Sequence, residues 1–235
     1  MAKSETMTAP AAGSVKATSD KHFASDPLNW IRAHRKPLTA GAIILLAIAG
    51  GVWLTLTTQQ RKEVAGQAAL TEARSAFDSY NLPAAAAAFQ EIIQGFSGTR
   101  AAKEATLALN QVRMINGQNE LAIVSLRDFI SKSPVPAYQV PASALMGAAL
   151  ENVNRPAEAA AAYLRASTLA EVDYLKADYL LAAGRAFDEA GKTAEAEQAF
   201  TTIIDEFPET PSLTEAKVRL SELDGGQYSD APEPI

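Results

Sequence analysis

The sequence predicts an all-α chain: one N-terminal transmembrane helix, then an α-solenoid of about four helical hairpins closed by a capping helix. Three observations predict it. A charge-free stretch runs from Pro37 to Gln60. Beyond it, large apolar residues return at a fixed interval of 37, at Phe89, Leu126, Tyr163 and Phe200. The 235 residues are 48% hydrophobic and contain no cysteine, so the core is expected to form by burial alone, without disulfides.

The core of the apolar stretch, Leu38 to Thr57, reads LTAGAIILLAIAGGVWLTLT. As a helix it covers ~30 Å, the thickness of a bilayer's hydrocarbon layer. A buried helix of a soluble domain rarely runs this long without a charge. A cleaved signal peptide is disfavoured too: the run exceeds the usual apolar length of roughly 7–15 residues, starts late, and leads into Gln59, Gln60, Arg61 and Lys62 without a small-x-small site. It reads as an uncleaved signal-anchor with Trp30 and Trp53 as interfacial aromatics. Its small residues, Gly41, Ala42, Ala47, Gly50 and Gly51, are ordinary for a membrane helix and would also allow close helix packing.

Orientation follows from the flanks. Arg32, Arg35 and Lys36 crowd the N-terminal side. Residues 1–36 hold six of the 21 Lys and Arg and three of the 27 acids, which leaves the rest of the chain at net −9. A basic short arm before an acidic domain favours a cytoplasmic N-terminus and a periplasmic C-terminal domain at a bacterial inner membrane. The expected divisions are a disordered cytoplasmic tail (1–25), a juxtamembrane segment and transmembrane helix (26–60), a repeat domain (61–224) and a flexible tail (225–235). Asp26 would cap a short interfacial helix reaching Trp30, with Pro27 at its first position.

The repeat has several columns in register. Ala85, Ala122, Ala159 and Ala196 stand four residues before the large apolar positions, and Ile92, Phe129, Ala166 and Ile203 three residues after them. Nine residues before come Tyr80, Gly117, Asn154 and Gly191, where the chain must turn tightly. In the fourth unit Leu180, Ala183, Gly184 and Phe187 share one face of a first helix that Gly191 ends. Thr193 is expected to cap a second helix burying Ala196, Phe200 and Ile203, and Pro208 to stop it. Units begin near Gly66, Lys103, Val140 and Ala177, and a last helix, Thr210 to Leu223, caps the stack. Between Thr58 and Tyr80 only Gly66 interrupts helical pattern, so the apolar helix is expected to run into the first repeat helix.

These residues resemble the tetratricopeptide repeat: Leu, small, Gly and aromatic in the first helix, then Ala, Phe, Ala or Ile, and Pro in the second. The usual period is about 34 residues. Unit one departs at Ala73 and Ser97, and unit two carries Asn110 and Arg113 where a small residue and an aromatic belong. The whole layout is similar to bacterial inner-membrane proteins with one membrane helix and a periplasmic domain of such repeats, including the ancillary subunit of the Sec translocon. The stretches Phe89 to Ala105 and Phe200 to Ala216 also resemble periplasmic repeats of the Tol–Pal and outer-membrane assembly systems, which in general lack this anchor. The resemblance implies a concave surface lined by first helices. Carried onto this chain, it points to Gln67, Arg74 and Phe77; Leu107, Gln111 and Met114; Ala148 and Glu151; and Leu181, Arg185 and Asp188 as a protein-binding groove.

The residue types argue against an enzyme. His22 and His34 both precede the apolar stretch, so the repeat domain has no imidazole for acid–base work or metal ligation. Carboxylate pairs such as Asp188–Glu189, Glu195–Glu197 and Asp205–Glu206 suit a solvated helix face. Neither cysteine ligands nor a Gly-rich phosphate loop occur, so no cofactor or metal is expected. The acidic balance disfavours nucleic acid. The expected partners are other proteins, membrane or periplasmic, and lipid around the anchor, with no small-molecule substrate. The leading expectation is a membrane-anchored scaffold that assists assembly or hand-over of other proteins. A permanent structural subunit of a translocon, respiratory or photosynthetic complex is the alternative.

Overall fold

The computed structural model describes residues 35–133 and 135–225. The expected N-terminal tail, the Asp26–Trp30 helix and most of the C-terminal tail lie outside them. The described residues form nine helices: α1 Arg35–Asp78, α2 Leu82–Gly95, α3 Arg100–Ile115, α4 Asn119–Lys132, α5 Pro136–Glu151, α6 Pro156–Leu169, α7 Asp173–Glu189, α8 Thr193–Glu206 and α9 Ser212–Leu223. The chain divides into two units, Met1–Thr57 and Thr58–Ile235, three residues ahead of the boundary expected from sequence.

Within the first unit, the described part of α1 leaves its large apolar side chains exposed. Ile44, Leu45, Leu46, Ile48, Val52, Trp53, Leu54 and Leu56 are all between 52% and 71% exposed. Thr55 donates its hydroxyl hydrogen to the Val52 carbonyl at 2.8 Å, and Thr57 to that of Trp53 at 3.0 Å, so the helix's own backbone absorbs these polar groups. Among the described residues no helix is long and apolar enough to cross a membrane. Part of the expected span, the side chains of 37–40, 42 and 43, lies outside the described residues.

The second unit is a stack of hairpins. The second helices, α2, α4, α6 and α8, start at 82, 119, 156 and 193 and end at 95, 132, 169 and 206, each 37 residues after the last. Every one is preceded by the same turn. The amide of Asn81 donates to the Ala76 carbonyl and that of Tyr80 to Phe77; Gln118 and Gly117, Arg155 and Asn154, and Lys192 and Gly191 repeat the pattern in the later units. This pairing caps a helix only if its middle residue is left-handed. Tyr80, Gly117, Asn154 and Gly191 have φ of 57°, 73°, 58° and 70°. At three of the four, Gly or Asn tolerates that conformation, but Tyr80 bears a Cβ cost and is 82% exposed. Tyr80→Gly is therefore expected to raise stability by about 0.5–1 kcal/mol, read as a higher midpoint of thermal unfolding by circular dichroism. An unchanged or lower midpoint would contradict the strain.

Three helices among these begin with proline in the first turn, where the missing N–H costs no bond: α2, α5 and α6. Thr99 caps α3 by accepting from the Ala102 amide at 3.1 Å. Glu63 of α1 accepts from the Arg100 amide at 3.1 Å, placing a carboxylate on the positive end of α3. The expected cap at Thr193 is corrected. Thr193 is the first helical residue of α8, and Lys192 holds the cap position without a side-chain bond, because the preceding turn carries the chain one residue earlier into the helix. The capping helix runs Ser212–Leu223, against an expected span of about Thr210 to Leu223.

The core follows the repeat. Phe89, Leu126, Tyr163 and Phe200 are buried, as are all four alanines of the column before them. One apolar cluster joins α1, α2 and α3 through Leu70, Ala73, Phe89, Ile92, Ala101, Leu109 and Val112. A second runs from Ala122 of α4 to Leu220 of α9. They meet at α3, whose Leu107 and Met114 pack against the second cluster. There Asn110 is fully buried where other units have Ala73, Gly147 and Gly184. Its amide donates to the Thr106 carbonyl at 2.8 Å and to Ser125 Oγ at 3.1 Å, and its oxygen accepts from Arg113 Nη1 at 3.0 Å. Both amide hydrogens and the amide oxygen are thus bonded, which is what makes a buried Asn tolerable.

Candidate functional site

The first helices α1, α3, α5 and α7 contribute to three depressions that share lining residues and form a strip. The first, about 330 Å³, is lined by Arg74, Phe77 and Asp78 of α1, Phe89 of α2, and Glu104, Leu107, Ala108 and Gln111 of α3. The second, about 380 Å³, shares Leu107 and Gln111 and adds Pro141, Ala144, Leu145 and Ala148 of α5, Tyr163 of α6 and Tyr179 of α7. The third, about 320 Å³, shares Pro141 and Tyr179 and extends over Val140, Leu169, Val172, Leu175 and Glu171. The shared residues make the strip continuous from α1 to α7.

Of the residues expected in a groove, Arg74, Phe77, Leu107, Gln111 and Ala148 line this strip. Glu151 adjoins it: Tyr163 donates its phenol hydrogen to Glu151 Oε2 at 2.8 Å. Burial first, and then that bond, push the Tyr163 phenol well above its ordinary range, so it stays a neutral donor at any physiological pH. Arg185 is exposed and pairs with Glu215 of α9 at 3.1 Å. Gln67 and Met114 are half-buried, and Asp188 is exposed; none of the three lines the strip. Leu181 is 4% exposed and belongs to the buried cluster that also holds Ala216 and Leu220 of α9, so this residue, which the resemblance assigned to the groove, is core.

Tyr163 and Tyr179 were missed as lining residues. Tyr163 carries the column of second-helix anchors and reads from sequence as core; its ring edge reaches the strip because Gly147 opposite has no side chain. Pro141 was missed as well. It sits inside α5, within a run of apolar residues that offers no periodic signal for which face turns outward.

Charge is unevenly spread along the strip. The second depression has no ionisable lining group except the Tyr163 and Tyr179 phenols. Among the lining residues Arg74 alone is cationic, and it is committed to Glu104 at 2.8 Å. Asp78 at one end and Glu171 at the other have no ion-pair partner among the described residues. Among the described residues no group of His, Cys, Asp and Glu is placed to hold a metal ion.

A family model described as a tetratricopeptide repeat-like domain matches residues 55–176, more than half of the chain, and a second, described as a tetratricopeptide repeat, matches 178–210. No curated protein matches. Among solved structures, two crystal structures of MamA are each 20% identical, with TM-scores of 0.54 and 0.53; they cover 69% and 66% of this chain and 84% of their own. A tetratricopeptide repeat protein from Parabacteroides merdae is 12% identical with a TM-score of 0.56, covering 68% of this chain and 60% of that one. At such identities the likeness is one of fold.

Proposed function

We propose a function for this chain from one premise: it belongs to the tetratricopeptide repeat-like family. Such repeats imply a protein-interaction scaffold, and the fold is typically non-catalytic. The continuous strip across the first helices of all four units is the observation that carries the reading here. It offers apolar and aromatic side chains with a few polar groups, which suits a polypeptide segment better than a small polar substrate.

The scaffold is anchored in a bacterial inner membrane by the charge-free helix, with its N-terminus cytoplasmic and its repeats in the periplasm, where it assists assembly or hand-over of other proteins. The supports are the uncharged run from Pro37 to Gln60, the apolar side chains of α1 that stand exposed among the described residues, and the Arg32–Lys36 cluster before them. An extracytoplasmic reporter fused after Ile235 is expected to be active, and activity of a cytoplasm-only reporter there would overturn the orientation. The groove is tested by a photo-crosslinker at Ala148 in the strip against one at Val124 on α4, which is 63% exposed and lines none of the three depressions. Partner adducts from Ala148 alone are expected; equal adducts from both would remove the strip's special role. Gentle detergent purification separates a transient scaffold, with varied substoichiometric partners, from a permanent subunit that co-migrates stoichiometrically with one complex.

A further inference from the structure

The strip has a charge pattern as well as a shape. Its centre, over Leu107, Pro141, Leu145 and Tyr179, is apolar and aromatic. Its one cation is neutralised within the chain by Glu104. Each end carries an exposed carboxylate with no cationic partner among the described residues, Asp78 on the last position of α1 and Glu171 before α7. Glu151 adds a third, with a phenol rather than a cation beside it.

We infer that the strip takes a polypeptide segment with an apolar centre and a basic residue on either side. This rests on the protein-binding reading above and adds the ligand's chemistry to it. The physical reason is complementarity at the two ends. A Lys or Arg meeting Asp78 or Glu171 gains an ion pair that no internal cation competes for, whereas an acidic flank meets like charge. At the centre the lining side chains carry no charge and the adjoining Glu151 is anionic, so an acidic residue placed there would be stripped of water without compensation. An acidic segment finds no free cation among the lining residues, since taking Arg74 means first breaking its bond to Glu104.

The test uses the full chain in non-ionic detergent and two labelled synthetic peptides, one with six apolar residues flanked by lysines and one with the same centre flanked by glutamates. Fluorescence anisotropy is read against detergent alone. The lysine peptide is expected to bind roughly tenfold or more tighter, with the advantage shrinking as salt rises. Both end residues are exposed, so Asp78→Lys with Glu171→Lys should leave the fold intact and transfer the preference to the glutamate peptide. Equal binding of both peptides, or preference for the glutamate one by the unaltered chain, would overturn the ligand assignment. Loss of that binding in Ala148→Arg would show that the groove itself survives. Failure of the lysine peptide to bind also overturns the assignment, while the Ala148 crosslinks separately report whether the strip binds protein at all.

Discussion

Replacing Phe200 with Ala is expected to lower the stability of the repeat unit by ~3–5 kcal/mol, the range for truncating a core Phe. Phe200 is 1% exposed, among the largest fully buried side chains, and occupies the anchor position of the fourth hairpin. Its ring lies over Gly184 of α7, so no neighbouring side chain can swing in to fill the space. In a stacked array each hairpin leans on its neighbours alone. The loss should therefore appear first in α7, α8 and α9. Limited proteolysis of the full chain in detergent, unaltered against Phe200→Ala, should give new cleavage after about Ala177 while α2 and α3 stay protected. Uniform loss of protection would mean that the hairpins melt as one core. Unchanged resistance would contradict the buried anchor.

Much of this fold is legible in the sequence because the repeat states it four times. A single Ala or Phe says little, but Ala85, Ala122, Ala159 and Ala196 in register locate the point where two helices approach, and all four are fully buried. The turn column is legible for a similar reason. Gly117, Asn154 and Gly191 signal left-handed backbone, and they place Tyr80, which signals nothing by itself, in the same conformation. The site was less legible. The side chains facing the strip depend on how hairpins rotate against each other and on what closes the stack. Leu107 and Leu181 occupy the same column, yet Leu107 lines the strip and Leu181 is buried with residues of α9. The Asn110 network was unreadable too, because its partners Thr106, Arg113 and Ser125 come from two helices whose contact the sequence does not specify.

Gly184→Ala is expected to destabilise the fourth hairpin by about 1–3 kcal/mol, although Ala is the better helix former by ~1 kcal/mol. Close packing outweighs propensity here. A methyl at Gly184 would fall inside contact distance of Phe200, with the ring's Cζ at 2.8 Å and Cδ1 at 2.9 Å. Phe200 has nowhere to retreat, since it shares its buried cluster with Ala183, Ala196 and Ile203. Gly147→Ala makes a comparable approach to Tyr163, at 2.8 Å from Cε1 and Cζ, but that ring borders the open strip and can give way outward. Its cost should be smaller, and it should instead weaken the Tyr163–Glu151 hydrogen bond. Urea unfolding of each variant measures the difference. The decisive measurement is a double-mutant cycle. Phe200→Leu alone should destabilise, but combined with Gly184→Ala it should recover part of the loss, with a coupling of about 0.5–3 kcal/mol. Additive effects would mean that the Gly184 and Phe200 positions do not touch, and the helix-to-helix register that aligns all four hairpins would be wrong by at least one residue.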